Sequence, residues 1–175
     1  MRRKIVIAVV LLVAAVLLFA ATKPDTFRVE RSTSIKAPPE KIFALINDFH
    51  RWDTWSPWEK KDPGMKRAHS GAASGKGAVY EWDGNNEVGK GRMEITEASA
   101  PSKIVIKLDF IKPLEGHNVA EFRLEPQGAM TNLTWSMDGP APYTSKLIRV
   151  FLDMNKMIGD DFEAGLANLK ALAER

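Results

Sequence analysis

Seventeen consecutive apolar residues, Ile5 to Ala21, follow directly on the basic triplet Arg2-Arg3-Lys4, and this run constrains the chain more than any other feature. In lipid every backbone donor and acceptor must be satisfied within the segment, so a run this apolar is a helix. At about 1.5 Å per residue it reaches about 25 Å, just enough to cross a hydrocarbon core if Lys4 and Lys23 snorkel toward the headgroups. Residues 1–22 are expected to be an N-terminal transmembrane signal-anchor. The competing expectation is a cleaved signal peptide, which has a shorter apolar stretch of about 7–15 residues and a small-x-small cleavage site. Leu18/Ala20 and Phe19/Ala21 fit such a site poorly and Ala20/Thr22 weakly, and the chain has no cysteine to serve as a lipoprotein attachment site.

Lys23, Arg28, Arg31 and Lys36 flank the other end of the run, so the charge tally across the membrane is close. The N-terminal charges are contiguous and the later ones spread through a folding segment. The expected topology is therefore single-pass, with the domain extracytoplasmic (periplasmic), or secreted if the segment is cleaved. Of the 25 lysines and arginines, three are Arg2, Arg3 and Lys4, leaving 22 against 22 acids. The remainder carries no clustered basic run, which argues against a nucleic-acid partner.

Residues 23–26 form the linker, and even the five residues Thr22 to Thr26 span at most about 17 Å. The domain, residues 27–175, must sit close to the lipid surface. Phe27, Val29, Arg31, Thr33 and Ile35 alternate with polar residues and predict a strand with Arg31 as the odd member of its apolar face. Ala37-Pro-Pro-Glu opens a helix carrying Ile42, Phe43, Ile46 and Phe49, which ends near Asn47-Asp48. His50 to Ser74 reads as a long loop with one short strand at Met65 to His69. Five strands follow at 78–82, 88–96, 103–111, 118–125 and 131–138, separated by turn signals such as Asp83-Gly84-Asn85-Asn86 and Pro126-Gln127-Gly128. This spacing predicts an antiparallel meander. An apolar stripe from Leu147 through Leu172 then predicts one helix over 144–173, with a kink or break near Gly159-Asp160-Asp161.

Ser34-Ile-Lys-Ala-Pro-Pro-Glu-Lys-Ile-Phe-Ala-Leu-Ile-Asn-Asp48, Trp52-Asp-Thr-Trp55-Ser-Pro-Trp58, Tyr80-Glu-Trp-Asp-Gly-Asn85, Val88-Gly-Lys-Gly-Arg-Met-Glu-Ile95, Thr131 to Gly139 and Gly165-Leu-Ala-Asn-Leu-Lys170 together resemble the START-like, or SRPBCC, superfamily. The resemblance is to its polyketide cyclase/dehydrase-like branch, which has the fold of the birch-pollen allergen. It covers roughly residues 27–173. It implies an α+β helix-grip fold: a curved antiparallel sheet of six or seven strands wrapped round a long C-terminal helix. Function is left open, because the superfamily holds cyclases, hydratases, lipid carriers and receptors.

Catalytic motifs are sparse. His50, His69 and His117 are far apart, no Gly-x-Ser-x-Gly elbow occurs, and Gly75-Lys-Gly77 and Gly89-Lys-Gly91 lead into no helix. Asp160-Asp161 and Glu163 read as a solvated helix face. No catalytic residue, metal or cofactor is expected.

What remains is apolar. Trp52, Trp55 and Trp58 either plug the end of the core or form an aromatic rim at a cavity mouth. Tyr80, Trp82, Phe110, Phe122, Trp135 and Met137 lie on the inward phase of the strands, with Phe151 and Met154 expected to face them from the helix. Arg31 and Asn118 are inward-phase polar groups suited to a ligand carboxylate or carbonyl, although Arg31 equally suits a salt bridge at the sheet end. These thirteen residues are the expected binding set for a small hydrophobic or amphipathic ligand, the resemblance favouring a cavity between sheet and helix. The alternatives are a cyclase- or hydratase-like enzyme, which needs an inward titratable group, and a protein or lipid interaction module acting through its Trp-rich loop. A wide space under the helix would favour binding, and a filled one the interaction module.

Overall fold

The computed structural model describes residues 2–175. Helix α1 (Arg2–Ala21) leads into strand β1 (Thr26–Ile35), helix α2 (Pro39–Ile46), a 3-10 turn (Phe49–Thr54) and the short helix α3 (Pro57–Lys61). Strands β2 (Lys66–Gly71), β3 (Ala78–Asp83), β4 (Lys90–Ser99), β5 (Lys103–Lys112), β6 (Gly116–Gln127) and β7 (Met130–Pro140) follow, then helices α4 (Tyr143–Phe151) and α5 (Met154–Ala173). α1 is long and apolar enough to cross a membrane, and only 6% of its most apolar window is buried.

The seven strands form one antiparallel sheet in the order β1-β7-β6-β5-β4-β3-β2. Consecutive strands from β2 to β7 are hairpin neighbours, as a meander requires, and β1 closes on β7 with Arg31 opposite Trp135. Gly89 shows why one hairpin carries glycine. Its φ is +63°, and a side chain there would run into the Lys112 carbonyl of the neighbouring strand. The inward phase is as the alternation requires: Tyr80, Trp82, Met93, Ile95, Ile106, Leu108, Phe122, Leu124, Leu133, Trp135 and Met137 are all buried.

Two expectations require correction. The helix expected over 144–173 is two helices, and the break falls at Leu152-Asp153 instead of Gly159. Leu152 adopts extended backbone (φ −120°, ψ 131°), and the Asp153 carboxylate accepts the Lys156 N–H at 2.9 Å, a new N-cap that starts α5. Gly159 lies inside α5, where the Arg31 guanidinium occupies the space a Cβ would fill. The loop expected over 50–74 is also more ordered. The Asp48 carboxylate accepts the His50 N–H at 2.9 Å and starts the 3-10 turn, and Pro57 sits in the first turn of α3.

α5 lies along β1 and β7, not across the middle of the sheet. Lys170 Nζ donates to the Ser34 carbonyl at 2.8 Å and the Glu174 carboxylate accepts the Lys36 N–H at 2.8 Å, fixing the helix C-terminus against β1. The middle of the concave face is left to the segment between α2 and α3.

Candidate functional site

That segment carries the three tryptophans, and helix-end chemistry explains where they go. The last carbonyls of α2 have no intrahelical partner. Trp55 Nε1 donates to the Leu45 carbonyl at 3.1 Å and Trp52 Nε1 to the Ile46 carbonyl at 3.0 Å, so two indoles cap the helix and are drawn into the interior with it. Asn168 Nδ2 of α5 donates to the Trp55 carbonyl at 2.8 Å, holding the loop from the other side. Trp52 and Trp55 are buried, and Trp58 is half-buried.

The result is a continuous aromatic stack under the helix. Trp135 lies parallel to Phe162 with ring centroids 4.1 Å apart and stacks on Phe122 at 4.7 Å. Trp55 meets Phe122 and Trp135 edge-on, and Trp58 does the same to Trp135 and Phe162. Gly165 admits this packing, since a Cβ there would come within 2.8 Å of the Trp135 ring. The middle of the grip is thus occupied by the chain's own rings, with the Trp135 Nε1 buried and unpartnered. The tryptophan loop is core, not an exposed rim.

Polar groups on the inward face divide into engaged and free. Arg31 Nε donates to Glu163 at 2.7 Å, and its other nitrogens donate to the Glu30 carbonyl and to Asn155, so it serves the salt bridge that joins β1 to α5. Tyr80 Oη donates to Glu59 Oε1 at 2.6 Å, while Arg67 Nε donates to Glu59 Oε2 at 2.6 Å. Burial, reinforced by the Glu59 carboxylate, pushes the Tyr80 phenol well above its ordinary value. Glu59 and Arg67 were not apparent as a pair in the sequence. Both oxygens of Glu59 are committed, so this carboxylate supplies no free base.

Asn118 differs from these. It is 9% exposed on the inward face of β6, and its carboxamide makes no hydrogen bond among the described residues. It sits at the end of the sheet nearest α1, opposite Leu108 of β5 and against Gly139 and Phe27. Phe27, Phe110 and Ile158 are only partly buried at this end. Trp82 and Met137 are buried, with Trp82 Nε1 donating to the Val88 carbonyl at 2.9 Å and the ring edge over Gly91 and Phe110. Met154 is half-buried. Phe151 is 71% exposed and does not face the sheet. The expectation for it fails because the break at Leu152 separates α4 from the face presented by α5.

Two surface clefts lie outside the grip. One, of about 110 Å³, is lined by Phe49, His50, His69 and residues 70–73, 78 and 79. His50 and His69 stack beside it at 4.2 Å, and loss of water together with the neighbouring His50 lowers the His69 pKa. The other, of about 400 Å³, lies between Lys23 and residues 149–155. No group of three or more His, Asp or Glu placed to hold a metal occurs among the described residues.

Residues 26–174 match the family described as polyketide cyclase / dehydrase and lipid transport. The fold is shared with protein CV1439 from Chromobacterium violaceum at 19% identity and a TM-score of 0.61, covering 87% of this chain and 99% of that one. The Aha1 dimer from Colwellia psychrerythraea is similar at 16% identity and a TM-score of 0.60, over 85% of this chain and 96% of that one. The di-domain aromatase/cyclase BexL of the BE-7585A biosynthetic pathway is similar at 13% identity and a TM-score of 0.62, over 91% of this chain and 53% of that one. No curated protein matches the sequence.

Proposed function

The chain belongs to the polyketide cyclase/dehydrase and lipid-transport family, and on that premise we propose that it is a membrane-anchored, non-enzymatic binding domain for a small hydrophobic or amphipathic molecule. α1 is the anchor, and the domain stands on the extracytoplasmic side. The ligand enters the end of the grip nearest α1, beside Phe110, Asn118, Met137 and Met154. The filled middle of the grip weighs toward the interaction alternative, so the binding reading is confined to that end, between sheet and helix.

Asn118 carries this reading. Its carboxamide is not among the sealed, unpartnered polar atoms and so stays reachable at this end of the sheet, and among apolar neighbours it provides one polar handle for a carbonyl or hydroxyl. Catalysis is disfavoured because the inward titratable pair, Tyr80 and Glu59, is internally satisfied. A dye-displacement screen on residues 24–175 tests the proposal. A displacing apolar ligand is expected, with affinity lowered about fivefold or more by Asn118→Leu and unchanged by the outward Lys107→Ala. Absence of any displacing ligand, or equal binding by the Asn118→Leu protein, would count against it.

A further inference from the structure

The elbow between α4 and α5 lies against the apolar helix. Tyr143 Oη of α4 donates to the Leu17 carbonyl at 2.9 Å. Leu17 is four residues short of the end of α1, or about 6 Å along its axis. If α1 spans a bilayer, α4 therefore lies at headgroup depth.

The elbow's composition suits that depth. Phe151, Leu152 and Met157 are 71%, 49% and 54% exposed, large apolar side chains gathered at one turn. Beside them the cleft of about 400 Å³ is walled by two cations, Lys23 and Arg149. The Arg149 Nη1 is buried with no hydrogen-bond partner. Lys23 forms no ion pair among the described residues, its ammonium lying 4.4 Å from the Phe19 ring centroid. The polar neighbours are already committed: the Asp153 carboxylate accepts the Lys156 N–H, and Asn155 accepts from Arg31. Lys23 and Arg149 outweigh the single Asp153 carboxylate in charge, and with Val150, Phe151, Leu152 and Met154 also lining the cleft they fit an anion that carries acyl chains.

We propose that this elbow docks on the bilayer, its cleft taking the phosphate of an anionic phospholipid between Lys23 and Arg149 while Phe151, Leu152 and Met157 enter the acyl boundary. The inference rests on the reading of α1 as a membrane anchor. It assigns a lipid site distinct from the grip, one that holds the open end of the sheet toward the membrane.

The chain has no cysteine, so single cysteines at Leu12, Leu152 and Ala129 can each carry a fluorophore in the full chain. The protein is placed in nanodiscs of phosphatidylcholine and phosphatidylglycerol with bromine-bearing acyl chains as quencher. The label at 12 is expected to be quenched deeply, that at 152 at the headgroup boundary, and that at 129, on the β6–β7 turn, not at all. Combining Lys23→Gln with Arg149→Gln should lower the docked fraction reported at 152 by roughly ten- to thirtyfold in docked-to-undocked ratio, leaving the label at 12 quenched. Unchanged near-ultraviolet circular dichroism of the tryptophan core verifies folding. A label at 152 that stays in water while 12 is quenched overturns the docking site, as does quenching at 152 that ignores the charge removal. Release of 152 by inorganic phosphate would assign the cleft to the free ion and overturn the lipid. An unquenched label at 12 overturns the anchor itself, a separate outcome.

Discussion

The two ends of the one sheet are built from the same alternation and finish differently. At the end farther from α1, Ile35, Ile104, Leu124 and Leu133 are essentially inaccessible, and Thr131 Oγ1 donates to the Ala37 carbonyl at 2.8 Å in the interior. α2, the tryptophan loop and the C-terminal half of α5 cover that end. At the end nearer α1, Phe110 is only partly buried, Leu114 of the β5–β6 hairpin is 60% exposed, and Phe151 is 71% exposed. Period-2 patterning makes a face apolar; whether the face is sealed depends on what the rest of the chain lays over it. The sealed end carries stability, and the open end is where a ligand or a membrane can be met.

Substitutions should separate the filled part of the sheet from the open end most sharply in stability. Trp135→Ala and Phe122→Ala remove stacked core rings and should each cost about 3–5 kcal/mol in urea unfolding, whereas Phe151→Ser should stay within about 0.5 kcal/mol. Comparable losses at both positions would erase the distinction. Trp52→Phe keeps the ring but uncaps the Ile46 carbonyl, for an expected loss of about 1–2 kcal/mol by the same measurement. Asn118→Leu should leave the unliganded domain within about 0.5 kcal/mol of its original stability, because no hydrogen bond among the described residues is lost with the carboxamide. A clear destabilisation would mean that the carboxamide already has a partner.

The smallest effect expected is on pH dependence. Because the folded-state pKa of His69 lies below its unfolded value, His69 contributes stability that is present above pH of about 6.5 and is lost as pH falls through the folded pKa. Proton NMR should show His69 titrating below the ordinary histidine range, and His69→Gln should slightly flatten the stability profile on the acid side.

Most of the architecture was legible in the residues. Strict alternation such as Ile104-Val-Ile-Lys-Leu-Asp-Phe110 admits only a one-faced strand, and every inward residue it named lies on the concave face. The helix break was not legible. Leu152 prolongs an apolar helical stripe, and Asp153 acts as a cap only because Leu152 is extended, a backbone choice with no Gly or Pro to mark it. The salt bridge of Arg31 was one of its two readings from the sequence, but the Glu59–Tyr80–Arg67 cluster depended on contacts between elements distant in sequence, which periodicity does not encode. The filling of the grip likewise depended on two tryptophans capping a neighbouring helix. The sequence showed that they were large and close together, but not that two orphaned carbonyls of α2 would draw them inward.

The proposed ligand is a small apolar molecule at the end of the grip nearest α1. Native mass spectrometry of the full chain, released from nanodiscs and compared with its Asn118→Leu form, tests it most directly. A small hydrophobic adduct should be retained on the unaltered chain and diminished by Asn118→Leu. A bare chain in both cases, or an adduct retained equally by both, would contradict it.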